Sequence, residues 1–152
     1  MALTYSLVTD AEKEPADLIR WMEATQSLHP VPGEKHTIAK PGLRCSVIPQ
    51  SRTGSELIQE TFGINPGIIC LCQIDKFDLY ETGMDHLLRL AFGLLTKDQS
   101  DLLLLSNGEQ GHLLRKESRI YADCSDDYWK KKWNAAFARA RLHFQPRQLP
   151  CI

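Results

Sequence analysis

The fold is decided by residues 78–109, DLYETGMDHLLRLAFGLLTKDQSDLLLLSNGE, which contain a long amphipathic stretch, a short apolar run and a turn signal. Asp78 and Glu81 have the spacing of a capping box, so we expect a helix to begin at this point. Apolar residues then recur every three or four positions, as in a helix that covers a sheet. They are Met84, Leu87, Leu88, Ala91, Leu94 and Leu95.

The apolar run Leu102–Leu105 has the length of a strand, and Asn107-Gly108 follows it. Both turn residues tolerate positive φ, which makes this pair the strongest short-range hairpin signal in the chain. The signal predicts a returning strand at His112–Arg115, and Arg119–Ala122 can pair beside it. The long helix is therefore expected to lead into a meander of three strands.

The rest of the chain is interpreted from the same periodicities and from its proline and glycine residues. The predicted elements are a half-buried strand at residues 2–8, a helix from Glu14 to about Ala24, a loop at His29–Pro41 with a short edge strand at His36–Ala39, a strand at Leu43–Ile48, a helix at Gly54–Phe62 closed by Gly63, and a central strand at Ile68–Ile74.

These elements predict an α+β fold in the order β-α-β(β)-α-β-α-β-β-β-α. We expect a single two-layer domain over residues 1–152, with a mixed or antiparallel sheet and helices mainly on one face. Residues 124–152 form a basic, Trp-rich C-terminal helix and tail, with Ser125 as the expected helix cap.

The C-terminal helix allows two interpretations. Its aromatic residues follow helical spacing, which favours packing on the sheet with the lysines facing solvent. The same surface could instead dock a partner, because its charge and aromatic area suit nucleic acid, a membrane surface or an acidic protein. In that case the contacting residues would be Trp129, Lys130, Lys131, Trp133 and Arg141.

Composition restricts the classes of partner. The chain has 18 Lys and Arg against 19 Asp and Glu, a net charge of -1, so neither nucleic acid nor a membrane surface is an expected partner. The charge is uneven: residues 1–100 carry 9 basic against 13 acidic residues, and residues 101–152 carry 9 against 6. Five cysteines without a CxxC pair and an N-terminus without a signal-peptide pattern indicate a reduced, cytoplasmic protein.

The sequence contains no recognisable catalytic, metal-binding or phosphate-binding motif. The histidines are scattered singly, no nucleophile elbow occurs and no Gly-rich phosphate loop is present, so we expect no metal and no cofactor. Cys70 and Cys72 share one strand face and are expected to be buried. The most enzyme-like grouping would combine Asp75, Glu109 and His112 at one end of the sheet.

A resemblance to a known family adds a specific function. The segment Phe77–Lys116, with a helix after Asp-Lys-Phe and a strand that ends in Asn107-Gly108-Glu109, resembles the bacterial swarming-inhibition (Sit-type) immunity proteins, as does the opening Met-Ala-Leu-Thr-Tyr-Ser-Leu. The resemblance covers roughly residues 1–10 and 64–123. It implies a non-catalytic protein that binds a cognate toxin in the producer's cytoplasm and blocks it by occupation.

Two functional hypotheses follow. The first is a toxin-neutralising immunity protein, a monomer or homodimer whose partner is a toxin or another protein. The second is a small enzyme or ligand-binding domain that uses an unrecognised pocket near Cys70, Cys72, Asp75, Glu109 and His112. A closed, polar-lined cavity at those residues would favour the second hypothesis.

Overall fold

The computed structural model describes residues 3–10, 14–49 and 52–152 of the chain. They form an α+β fold with one mixed sheet and helices mainly on one of its faces, as predicted. In chain order the elements are β1 (Leu3–Thr9), α1 (Pro15–Gln26), β2 (His29–Pro30), β3 (Thr37–Lys40), β4 (Leu43–Pro49), α2 (Arg52–Phe62), β5 (Ile68–Ile74), α3 (Tyr80–Lys97), β6 (Leu102–Ser106), β7 (Gln110–Lys116), β8 (Arg119–Ala122), α4 (Asp127–Ala140) and β9 (Gln145–Pro146).

The strands are ordered β2-β3-β4-β5-β1-β6-β7-β8-β9 across the sheet. Neighbouring strands are antiparallel except β8 and β9, which are parallel. The central position predicted for β5 is confirmed, since it lies between β4 and β1. The two-residue strands β2 and β9 at the sheet's edges were not predicted.

Strand β1 is not half-buried, and that prediction is wrong. Ser6 and Val8 are buried on one face of the strand while Tyr5 and Leu7 are buried on the other. The cause is the position of β1 between β5 and β6, where both faces of the sheet are covered. Residue 2, the predicted start of this strand, lies outside the described residues.

One face of the sheet carries the main core, to which α1, α3 and α4 contribute. The apolar stripe predicted for α3 is buried in full, which confirms this helix as a core element. From α4 the core receives Trp129, Trp133 and Phe137. No helix among the described residues is long and apolar enough to cross a lipid bilayer.

The opposite face carries a smaller core formed by α2 and the C-terminal tail. Ile58 and Phe62 of α2 pack with Leu149 of the tail against buried residues of β1, β6 and β7. The tail reaches this face after β9 pairs with β8, and the Leu149 N–H donates to Asp123 Oδ2 at 2.9 Å. The last residues therefore pass around the edge of the sheet and close its second face.

Helix α3 begins differently from the prediction. The carboxylate of Asp75 accepts hydrogen bonds from the backbone N–H groups of Phe77 and Leu79, at 3.0 and 3.2 Å. The helix starts at Tyr80, and its N-cap residue Leu79 provides no side-chain bond. The predicted capping box at Asp78 is thus wrong, because Asp75 orders the turn from the end of the preceding strand.

Helix α4 also begins at a different residue from the one predicted. Ser125 is not the cap, since its side chain donates to the Asp123 carboxylate instead. Asp126 is the N-cap, and its carboxylate accepts from the Trp129 N–H at 3.2 Å. The short side chain of Asp126 and its negative charge both suit the positive end of a helix.

The predicted hairpin is confirmed. Asn107 and Gly108 have φ values of 52° and 71°, the left-handed conformation that this turn requires. Strands β6 and β7 pair on either side of it, with a register shift between Leu104 and Leu105. The shift leaves His112 of β7 between Leu113, which pairs with Leu104, and Gly111, which pairs with Leu105.

Candidate partner-binding site

The two tryptophans of the predicted partner-binding set lie in the core. Trp133 is fully buried and Trp129 is 8% exposed. The Trp129 ring stacks on His112 at a centroid distance of 4.4 Å and on Trp133 at 5.2 Å. In this structure neither indole ring belongs to the exposed surface, so the packing interpretation of the aromatic stripe applies to both.

The three cations of the predicted set are exposed, and they lie in different places. Lys131 faces helix α3 and lines a groove between the two helices. Arg141 follows the last turn of α4 in a left-handed conformation, with φ of 55°. Lys130 lies outside the groove lining. The contact of these three residues with a partner stays a prediction.

The groove between α3 and α4 has a volume of about 450 Å³. Its apolar floor combines two buried side chains of α3 with small residues of α4, which leave room between the helices. These floor residues are Leu88, Phe92, Ala135, Ala136 and Ala140. Apolar floors of this size with charged rims are typical of binding sites.

The rim of the groove is charged along both helices. Glu81, Asp85 and Arg89 are on the α3 side, and they repeat at every fourth residue. Lys132 of α4 crosses to this side, with its Nζ 2.7 Å from Glu81 Oε2 and 3.8 Å from Asp85 Oδ1. Both carboxylates are thus met by one ammonium group.

Three cations on the rim have no ion pair among the described residues. They are Arg89 of α3 and Lys131 and Arg139 of α4. All three side chains belong to exposed residues, so they keep their hydration and need no partner within the chain. Lys132 is paired, and these three cations are therefore available to interact with another molecule.

An aromatic cluster supports the floor of the groove from below. Phe92 lies edge-on to Phe137 at 4.8 Å and stacks on Trp133 at 6.4 Å. The Lys132 ammonium lies 5.4 Å from the ring centre of Tyr128, which fixes the end of the groove next to Glu81. Burial, together with Tyr80 and Glu81, raises the pKa of Tyr128, so this phenol stays neutral.

The enzyme-like grouping of Asp75, Glu109 and His112 is not assembled. Strands β1 and β6 separate β5 from β7, which puts Asp75 and His112 roughly 14 Å apart across the sheet. The Asp75 carboxylate is committed to the turn before α3. Glu109 lies in the hairpin turn, where its N–H donates to the carbonyl of Ser106.

Burial favours the neutral form of His112. Its Nε2 lies 2.8 Å from the Ser106 hydroxyl, and its ring is covered by Trp129. Burial lowers the pKa of His112 to about 4, against the opposing effect of Asp123 and Asp126. At neutral pH this imidazole is an uncharged part of the core.

Cys70 and Cys72 are buried in the main core, as the strand pattern predicts. Cys72 lies beside Cys45 of the neighbouring strand, with the two sulfur atoms 3.4 Å apart. Burial raises the pKa of Cys70, and the hydrogen bond with Cys45 raises that of Cys72, so these thiols are protonated. Neither the α3–α4 groove nor a depression of about 400 Å³ beside α2 includes them.

The model of the SitI3-like family matches residues 3–133. The chain belongs to the SitI3-like family. The matched range extends from β1 into α4, so it spans residues 25–60 and the start of α4, which the resemblance seen in the sequence did not cover. No curated protein and no solved structure matches the chain.

The SitI3-like match supports an immunity-type protein. It also covers much of the two helices that form the groove. All of α3 lies within the matched range, as does α4 up to Trp133. The second half of α4, which supplies Ala135, Ala136 and Arg139 to the groove, lies beyond it.

Proposed function

We propose that this chain is a bacterial immunity protein that acts in the cytoplasm and neutralises a cognate toxin by direct binding. The observation that carries the proposal is membership of the SitI3-like family over residues 3–133. The scattered positions of Asp75, Glu109 and His112 are in keeping with a protein that acts by occupation rather than by chemistry.

The edges of the sheet favour binding through side chains over strand addition. The edge strands β2 and β9 have two residues each and end in Pro30 and Pro146. Proline has no N–H to donate to an added strand, and short edge strands expose little backbone. A partner is therefore expected to contact the helical surface.

Growth and complex formation test the proposal together. The chain is co-expressed with the product of the neighbouring gene, each from its own inducible promoter, and an affinity tag is placed on this chain. We expect growth to be restored and the two proteins to purify together. Absence of both rescue and complex would contradict the proposal for that pair, and rescue without a complex would contradict direct binding.

A further inference from the structure

We infer that the groove between α3 and α4 is the surface that contacts the toxin, and that it receives an acidic amphipathic segment of that toxin. This inference rests on the proposed function and specifies where and how the partner is bound. The occupant it names carries Asp or Glu beside apolar side chains.

The charge of the rim selects an acidic segment. Arg89, Lys131 and Arg139 surround the groove without an ion pair among the described residues, whereas Lys132 is held by Glu81 and Asp85. A basic or neutral segment would leave the three cations uncompensated. Carboxylates placed next to them gain attraction and speed association, and positive rims reject wrongly charged partners.

The floor of the groove selects an apolar side to that segment. The floor combines Leu88 and Phe92 of α3 with Ala135 and Ala136 of α4, whose small side chains leave room between the helices. The volume of about 450 Å³ suits a small number of apolar side chains inserted between the helices. Buried apolar contacts surrounded by a polar rim are the usual arrangement in protein interfaces.

The groove is already ordered before a partner arrives. Lys132 ties α4 to α3 through Glu81, and Phe92 of α3 packs on Trp133 and Phe137 of α4. Less side-chain freedom is lost on binding when the surface is fixed in advance, so more of the contact energy is expressed as affinity.

The depression beside α2 is a less suitable surface for such a segment. Its cations Lys116, Arg119 and Arg147 share it with Glu60 and Glu117. Lys116 lies over the end of α2 at Gly63, and Arg147 lies 5.0 Å above the ring of Tyr121. These charges are partly used within the chain, and they provide a comparison surface for the tests.

The first test fills the groove without changing its charge. Ala135→Trp places an indole in the groove, and Ala138→Trp makes the same change at an exposed position of α4 outside it. Binding to the product of the neighbouring gene is measured by titration calorimetry. We expect Ala135→Trp to weaken binding by more than about tenfold and Ala138→Trp to leave it within about twofold.

The second test reverses the charge of the rim. Arg89→Glu, Lys131→Glu and Arg139→Glu are combined, and the control combines Lys35→Glu, Arg119→Glu and Arg147→Glu at exposed residues elsewhere. Both variants change the net charge equally. We expect only the rim variant to lose about a hundredfold in affinity. The affinity of the unaltered protein should fall as salt is added, whereas that of the rim variant should rise because salt screens the new repulsion.

The outcomes separate this inference from the proposed function. If the unaltered protein protects cells and binds, but both groove variants bind as well as their controls, the groove is not the contact surface and the immunity role stands. If the unaltered protein neither protects nor binds, both are overturned. Thermal unfolding of every variant establishes that a loss of binding does not come from a loss of fold.

A second copy of the chain is the other possible occupant, and sedimentation velocity identifies it. We expect the free protein to sediment alike with and without Ala135→Trp. A dimer that Ala135→Trp converts to a monomer, with protection unchanged, would assign the groove to self-association and overturn the inference.

Discussion

A buried arginine, Arg115, connects strand β7 to the end of helix α3. Arg115 is 3% exposed, and its guanidinium donates to the carbonyl oxygens of Leu95, Asp98 and Ser100 at 2.6 to 2.9 Å. Leu95 is in the last turn of α3 and Asp98 and Ser100 come after it, where carbonyl groups have no partner within the helix. A residue of β7 thus satisfies the end of the helix that forms one wall of the groove.

His112 makes the stability of the protein depend on pH. Burial lowers its pKa from 6.5 in an unfolded chain to about 4 in the folded state. The unfolded chain therefore binds the proton first as pH falls, and stability is lost between these two values. Between pH 7 and pH 5 the loss amounts to about 2 kcal/mol.

Urea unfolding between pH 7 and pH 5 measures this effect against His112→Gln, which has no group to protonate. We expect the free energy of unfolding of the unaltered protein to fall with pH by about 2 kcal/mol more than that of His112→Gln. His143→Gln, at an exposed residue, is the control and should follow the unaltered protein. Parallel curves for all three proteins would show that His112 does not titrate in this range on unfolding.

At the scale of secondary structure, Asp75 rather than Asp78 determines where α3 begins. Asp75→Ala removes the acceptor for two N–H groups of the turn and should lower the free energy of unfolding by about 1 kcal/mol. Asp78→Ala, an exposed residue of the same turn, should stay within about 0.5 kcal/mol. Chemical denaturation of both variants measures these changes. A larger effect at Asp78 would contradict the role of Asp75 and support the capping box predicted from the sequence.

The C-terminal tail contributes a buried residue to the second core. Leu149 is 4% exposed and packs with Ile58 and Phe62 of α2. Leu149→Ala should lower the free energy of unfolding by about 2 to 3 kcal/mol, because it removes apolar contacts and leaves a cavity. The neighbouring exposed residue provides the control, since Gln148→Ala should change stability by less than about 0.5 kcal/mol. Equal effects of the two substitutions in urea unfolding would mean that the tail is not part of the core.

Elements with strong local signals are the ones that the sequence predicts well. The stripe of α3, the Asn107-Gly108 turn and β8 at Arg119–Ala122 follow from periodicity and turn chemistry alone, and the structure confirms them. Helix caps are less predictable, because several polar residues near a helix start compete for the same N–H groups. In α4 the N-cap is Asp126 and not Ser125, because the Ser125 hydroxyl donates its hydrogen bond to Asp123.

At the scale of the whole molecule, the sequence does not reveal which distant elements meet. The order of the sheet places β1 at its centre, and the tail returns to cover the second face. Neither arrangement has a local signal, since strand pairing depends on contacts far apart in the chain. The burial of Trp129 and Trp133 likewise depends on α4 packing against α3 and the sheet.

The groove between α3 and α4 could not be predicted from the sequence for the same reason. The repeated charges Glu81, Asp85 and Arg89 and the lysines of α4 are visible in the sequence as outer faces of two helices. Their meeting across one groove is a tertiary fact, because the helices are separated by the β6–β8 meander. Of the partner-binding residues predicted from the sequence, Lys131 lines that groove, while Lys130 and Arg141 are exposed outside its lining.

The stoichiometry of protection shows whether neutralisation occurs by occupation. The product of the neighbouring gene is held at a fixed concentration far above the dissociation constant, and its activity is measured as this chain is added. We predict that inhibition rises linearly, stops at a fixed ratio near equivalence and does not grow with incubation time. Full inhibition by a small fraction of an equivalent, increasing with time, would rule out occupation and indicate that the chain destroys or modifies its target.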